Sequence, residues 1–310
     1  MRLEGVHHVT CITGDVRQNV DFYTRVMGLR LVAKSVNQDD PYIYHLFFAD
    51  EEGDPGSDLT FFEYRHAVRG RAGAGMVHRI LWRVPSTGAL TFWESRLADE
   101  GLTSELREDE LIFADPEGLE HSLRIDRSGD APLIADHPEI PRELALAGFD
   151  GVRAFARRPE ASGDLLERVM GAERKGDWSW ELRGQKRGAT FSFDPAPEAP
   201  GRSGAGTVHH VAWHTTVAEH PLWLERLREM GVRSTPIVDR YYFHSIYFHE
   251  PNGVLFEIAD DGPGFARDGS VEELGRKVIL PPWLERRRAE IEAHLTPIAD
   301  PRASWAAPKG

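Results

Sequence analysis

Three observations predict an α+β fold built from four tandem βαβββ modules. The tetrapeptide VHHV occurs at 6–9 and again at 208–211, and an altered copy, VHRI, stands at 77–80. Each copy opens a run in which an alternating, strand-like segment gives way to helically spaced apolar residues and then to further β-rich segments. The tetrapeptide RVMG also recurs, at 25–28 and 168–171, both times at the end of a predicted helix. The repeated context matters more than either His pair, because 14 His in 310 residues give about 0.6 adjacent pairs by chance.

The first module begins with the strand GVHHVTCIT (5–13). The helix DVRQNVDFYTRVMGL (15–29) follows, with Val16, Val20, Phe22, Tyr23 and Val26 at helical spacing and Gly28 as its stop. The runs RLVAKSV, YIYHLFFAD and DLTFFEYR, separated by turn residues, are its three remaining strands. The second module reads MVHRILWRV, a helix through ALTFWESRLADEGL, then LIFAD and LEHSLRID. The third is more worn: GFDGVRAFARR, a helix around DLLERVMGAER, then WSWELR and GATFSFD. The fourth is clear: GTVHHVAWHTT, the helix PLWLERLREMGV, then YYFHSIYFHEPNGVLFEIADD.

Residues 127–146, rich in Asp, Pro and Ala, read as a linker between halves, and PAPEAPGRSGAG (195–206) as a loop between modules three and four. The expected organisation is therefore an N-terminal module pair over 1–135, a C-terminal pair over 136–262 and a tail over 263–310. Each pair is expected to form curved, mainly antiparallel sheets around a cavity, with helices outside. In the tail, WLERRRAEIEAHL reads as a surface helix whose Arg286, Arg287 and Arg288 are balanced by flanking acids.

A formal charge of −13 opposes nucleic-acid backbones and anionic membranes, so neither is expected as a partner. The single cysteine, Cys11, excludes an intramolecular disulfide framework and fits a reducing compartment. No apolar run approaches a membrane span and MRLEGVHHV lacks a signal-peptide core, so a cytoplasmic protein is expected.

Comparing the modules with one another isolates candidate metal ligands. GMVHRILW (75–82) lies over GTVHHVAW (206–213), which sets Arg79 against His210. ADPEGLEHSLRID (114–126) lies over HEPNGVLFEIADD (249–261), which sets Ser122 against Glu257. Module three has Asp150 and Gly151 at the His positions, whereas module one keeps His7 and His8. The ligand-capable set is thus His8, His210 and Glu257. Two imidazoles and one carboxylate match the facial set of non-haem Fe(II) enzymes, which leaves coordination positions free. The alternative is two pairs of strand histidines with ordinary hydrogen bonds. Neighbours on a strand point to opposite faces, so only one member of each pair is expected to reach a metal.

These residues and this modular order resemble the vicinal oxygen chelate superfamily of glyoxalases, bleomycin-resistance proteins and extradiol dioxygenases, over about residues 5–261. Within it the chain is most similar to the hydroquinone-type ring-cleaving dioxygenases. The shared features are HHVT, IYHLFFAD followed by GDPGSDLT, the second HH and GVLFE. The resemblance implies Fe(2+) held by His8, His210 and Glu257, a small aromatic substrate with O2, and a homo-oligomer. It also implies catalytic roles for His7, Thr10, His209, Arg240 and Tyr247. Arg240 would donate to a phenolate and Tyr247 would bond a ring hydroxyl. Glu63 is a candidate fourth ligand, since glyoxalase-type sites draw one from the end of this module. Two other readings stay open: a glyoxalase-like metal-dependent isomerase or lyase, and a non-catalytic binding protein. His45, His78, His244 and His249 read as structural or surface residues, and Phe48, Trp213, Tyr242 and Phe243 as core.

Overall fold

In the computed structural model, which describes residues 1–303 and 305, every module has one strand, a helical segment and three further strands. Module one contains β1 (Val6–Thr13), α1 (Val16–Asp21), β2 (Arg30–Val36), β3 (Tyr44–Ala49) and β4 (Asp58–Glu63). Module two contains β5 (Met76–Val84), α2 (Thr87–Asp99), β6 (Ser104–Arg107), β7 (Glu110–Ala114) and β8 (Glu120–Ile125). Module three contains β9 (Phe149–Ala156), two short helical turns at Pro159–Ser162 and Leu165–Val169, β10 (Glu173–Gly176), β11 (Ser179–Arg183) and β12 (Gly188–Pro195). Module four contains β13 (Thr207–Thr215), α3 (His220–Glu229), β14 (Val238–Asp239), β15 (His244–His249) and β16 (Leu255–Asp260).

Local chemistry accounts for the helix in module one. Asp15 caps α1 by accepting from the backbone N–H groups of Arg17 and Gln18 at 3.0 and 3.1 Å. A wider turn at Phe22–Val26 continues it to Gly28, whose φ of 70° is open to glycine at little cost. Gly171 ends the equivalent turn in module three with a φ of 73°, which explains the recurrence of RVMG. The three strands without a sequence signal, β6, β10 and β14, are short, largely exposed edge strands. An edge strand that buries neither face carries no apolar alternation to read.

The modules do not build their sheets within chain halves as expected. One eight-stranded sheet runs β14-β15-β16-β13-β1-β4-β3-β2, joining modules four and one, and the other runs β10-β11-β12-β9-β5-β8-β7-β6, joining three and two. The joints are the antiparallel pairs β1/β13 and β5/β9. The physical reason is edge pairing. The opening strand of each module keeps one free edge, because only its other edge is taken by that module's last strand, in parallel. Two such edges satisfy each other, and the first module meets the last.

One face of the first sheet carries the core. Val9, Cys11, Leu59, Phe61, Val211, Trp213, Phe256 and Ile258 are buried there, with Trp213 6.0 Å from Phe191 of the second sheet. The alternate residues, among them His8, Thr10, Thr60, His210 and Glu257, belong to the opposite face. The tail is bound to module one. The buried Lys34 ammonium donates to the carbonyls of Arg276 and Ile298, and α4 (Arg288–His294) buries Ile291 while Arg288 pairs with Glu285 and Glu292 on its surface. No helix among the described residues is long and apolar enough to cross a membrane.

The segment joining modules two and three is pinned by Asp130, which accepts from Arg83 and Arg183, each at 2.7 Å, and from the N–H of Gly188. Burial pushes its carboxyl up, but the hydrogen bonds from Arg183 and Arg83 outweigh that and hold it well below the ordinary carboxylate range. A depressed folded value means that the stabilisation is complete above the unfolded value near 4 and is lost as pH falls below it. Asp130→Asn is expected to cost roughly 1.5–3 kcal/mol at neutral pH and to flatten the acid limb of the stability curve. Urea denaturation between pH 7 and 3 measures both, and parallel wild-type and variant curves would refute the assignment.

Candidate metal centre

Three side chains from two modules converge between β1, β13 and β16. His8 Nε2 lies 3.2 Å from His210 Nε2, and Glu257 Oε2 lies 3.4 Å from the first and 2.9 Å from the second. All three are buried, and their ligand-capable atoms fall within 4.8 Å of one another. Strand pairing brings them together. Thr10 of β1 stands opposite His210, and Ala212, two residues further along β13, stands beside Glu257.

The expectation that neighbouring histidines face apart requires correction. Between Val6 and His8 the first strand advances two residues while β13 moves one, so His7 is the extra residue of a β-bulge. Between Thr10 and Cys11 the reverse occurs, and His209 is the extra residue on β13. The bulges turn each pair together: His7 Nδ1 lies 2.9 Å from His8 Nδ1, and His209 Nδ1 lies 2.8 Å from His210 Nδ1.

The hydrogen bonds determine the tautomer of His8. A carbonyl oxygen only accepts, so His7 Nε2, 3.0 Å from the carbonyl of Asp260, carries the proton. Burial, then the neighbouring His8 and His214, keep the His7 imidazole well below its ordinary value and hence neutral. Its Nδ1 is therefore an acceptor and His8 Nδ1–H donates to it. In the neutral ring that a metal ligand requires, the His8 lone pair is therefore on Nε2, aimed at His210 and Glu257.

The third group is an anion. Burial alone would push the Glu257 carboxyl up, but His8 and His210 outweigh it and hold it well below the ordinary range. Ser245 donates to Glu257 Oε1, whereas Oε2, sealed from solvent, meets the two imidazole nitrogens, His210 Nε2 at 2.9 Å and His8 Nε2 at 3.4 Å. Two imidazole nitrogens and a carboxylate oxygen thus converge in one buried space, where a cation would sit. The donor set suits a divalent first-row metal.

Beside this centre lies a cavity of about 340 Å³ lined by His8, His45, Phe47, Phe62, His209, His210, Arg240, Tyr242, Phe243, Tyr247 and others. Its size fits a small ligand. Arg240 Nε donates to the Tyr247 hydroxyl at 3.1 Å, and Arg240 Nη1 reaches Asp39 at 3.1 Å. Burial, then Glu257, push the Tyr247 phenol up, so it stays protonated and keeps an O–H to donate. Burial, then His210, push His209 down to about 4, so it is neutral near pH 7.

Of the other sequence candidates, Thr10 is buried and its hydroxyl accepts from Thr60 at 2.8 Å, behind the cavity wall. Glu63 stands outside the cluster. It pairs with Thr13 at the far end of β4, and its carboxylate faces Thr296 of the tail. Strand register shows why: the module-one counterpart of Glu257 is Thr60, which stands beside Thr10 as Glu257 stands beside Ala212.

His78 stacks on Phe155 and pairs with Asp194, a structural setting. Phe48 and Trp213 are core residues, but Tyr242 and Phe243 line the cavity, and so does His45. The signal that could have found His45 is its place in the repeat. It pairs two residues beyond Thr60 just as Ser245, the partner of Glu257, pairs two residues beyond Glu257.

Residues 5–120 and 148–258 match the Glyoxalase/Bleomycin resistance protein/Dioxygenase superfamily. The chain is 38% identical over 317 residues to a Bacillus subtilis (strain 168) protein provisionally named ring-cleaving dioxygenase MhqA, covering 96% of this chain and 100% of that one. It is 33% identical to the chlorohydroquinone/hydroquinone 1,2-dioxygenase of Sphingobium indicum, covering 94% of this chain and 95% of that one. A Bacillus subtilis crystal structure provisionally described as a dioxygenase superposes with a TM-score of 0.88 at 39% identity, covering 96% of this chain and 98% of that one. Maize glyoxalase I shares the fold, with a TM-score of 0.58 at 15% identity over 83% of this chain and 92% of that one.

Proposed function

The chain belongs to the glyoxalase/bleomycin resistance protein/dioxygenase superfamily, and from that premise we propose that it is an Fe(II)-dependent, extradiol-type ring-cleaving dioxygenase acting on a hydroquinone- or catechol-type aromatic. The observation that carries the reading is the convergence of His8, His210 and Glu257, two imidazole nitrogens and a carboxylate oxygen that lie within 4.8 Å of one another in a buried space. The names of the full-length relatives support the reaction class.

His8, His210 and Glu257 would hold the metal. Bound Fe(II) supplies Lewis acidity toward an aromatic hydroxyl and a path for electrons between the ring and O2. His7 and His209 orient the two imidazoles through their Nδ1 atoms, and Ser245 orients the carboxylate. The apolar wall of Phe47, Phe62, Tyr242 and Phe243 excludes water and packs a ring. Arg240 and Tyr247 present donors to oxygen atoms of the substrate, where negative charge develops as the hydroxyl gives up its proton. Thr10 supports the wall through Thr60. In the cytoplasm the buried Cys11 would stay a thiol.

The test is oxygen uptake by anaerobically Fe(II)-loaded protein across a panel of hydroquinones and catechols, with product absorbance recorded in parallel. Uptake above that of free Fe(II), coupled to a ring-opened acid, is expected. Uptake no faster than free Fe(II), together with conversion of a glutathione hemithioacetal, would replace this reading by a glyoxalase-like isomerase.

A further inference from the structure

His45 belongs to none of the roles assigned so far, yet it lines the cavity. Its Nε2 lies 3.0 Å from Thr60 Oγ1, and Thr60 in turn donates to Thr10. With the Thr60 proton committed to Thr10, Thr60 can only accept from His45, so the His45 proton sits on Nε2. Nδ1 is then a lone-pair acceptor. It has no hydrogen bond among the described residues, and the half-buried ring lines the cavity. The ring is held between Phe47 and Phe62, with centroids at 4.0 and 4.5 Å, so the acceptor has a fixed direction. Burial, then the nearby His8 and His210, push the imidazole well below its ordinary value, in keeping with a neutral ring.

The internal repeat gives this arrangement its meaning. In module four a Ser245–Glu257 pair serves the metal centre, and in module one the same two positions hold His45 and Thr60. Thr60 carries no charge and its hydroxyl is spent on Thr10, so this side of the site offers no fourth ligand. It offers an acceptor to whatever occupies the cavity.

We infer that His45 is a specificity-determining residue, its Nδ1 accepting a hydrogen bond from the hydroxyl that a para-diol directs away from the His8–His210–Glu257 centre. The inference rests on the ring-cleaving reading and narrows its substrate class. A monohydric phenol leaves Nδ1 without a donor. A catechol turns both oxygens toward the centre and does the same. Only a hydroquinone places one oxygen at the centre and a second O–H across the ring.

The experiment is anaerobic calorimetric titration of Fe(II)-loaded protein with hydroquinone, catechol and phenol. One hydrogen bond is expected to make wild-type binding of hydroquinone about tenfold tighter than that of phenol. His45→Phe keeps a ring packed against Phe47 and Phe62 and removes the acceptor. It is expected to bring the hydroquinone-to-phenol ratio close to one while phenol affinity stays within about twofold. His45→Gln restores an acceptor and should recover part of the preference, and it also serves if the Phe variant folds poorly.

A residue that merely supports the wall would weaken all three ligands alike. Survival of the tenfold preference in His45→Phe, or its absence in the wild type, overturns the inference and leaves the ring-cleaving reading untouched. A preference that His45→Phe abolishes, in a protein that consumes no O2 with hydroquinone, upholds the His45 assignment and removes the dioxygenase reading. Failure of all three probes to bind wild type removes both.

Discussion

His210→Ala is expected to lower metal affinity at least about 100-fold and to abolish oxygen uptake with it, while the fold survives. Losing an outer partner of a ligand commonly costs about 10–100-fold, so losing one of three direct donors costs more. The geometry sharpens the expectation. His210 Nε2 is the donor nearest to Glu257 Oε2, at 2.9 Å, and it faces His8 Nε2 at 3.2 Å. Its removal leaves one imidazole and one carboxylate, too few for a tight site. Metal content after gel filtration and competition against a chelator give the affinity, and circular dichroism checks the fold. Full iron stoichiometry in the variant would dismantle the proposed centre.

The second large effect concerns the substrate side. Arg240→Ala and Tyr247→Phe are each expected to reduce kcat/KM by roughly 100-fold, the scale of losing one donor aimed at developing negative charge, with iron content unchanged. The two act as a unit, because Arg240 Nε donates to the Tyr247 hydroxyl and the guanidinium lies 5.2 Å over the phenol ring. The double variant should therefore lose clearly less than the product of the single losses. A multiplicative loss would mean that each side chain reaches the substrate independently. Loss of metal in either single variant would move that residue to the metal centre instead.

The repeat made much of this molecule legible. A module whose opening strand keeps VHHV can be compared position by position with one that has drifted to VHRI. That comparison singles out His8, His210 and Glu257, side chains that the structure brings within 4.8 Å. Helix ends were legible for the same local reason, since Gly28 and Gly171 mark φ values open to glycine at little cost. Glu63 misled because a strand end in the sequence carries no register. Only the pairing of Thr10 with Thr60 shows that the equivalent of Glu257 lies three residues earlier.

By itself, then, the sequence determined the modules, their order of strand and helix, and the residue types able to hold a metal. All of these depend on neighbours along the chain and on comparison between copies. Tertiary structure decided the rest. Which modules share a sheet depends on which free strand edges meet, and edges of β1 and β13, some 200 residues apart, leave no mark in either segment. The turning of His7 and His209 toward their neighbours depends on one extra residue in a ladder, and a bulge exists only relative to the strand opposite. The acceptor at His45 depends on Thr60 and Thr10, whose hydroxyl proton is committed only once β1, β3 and β4 lie side by side. Hydrogen-bond direction is a property of the assembled network, and no single segment contains it.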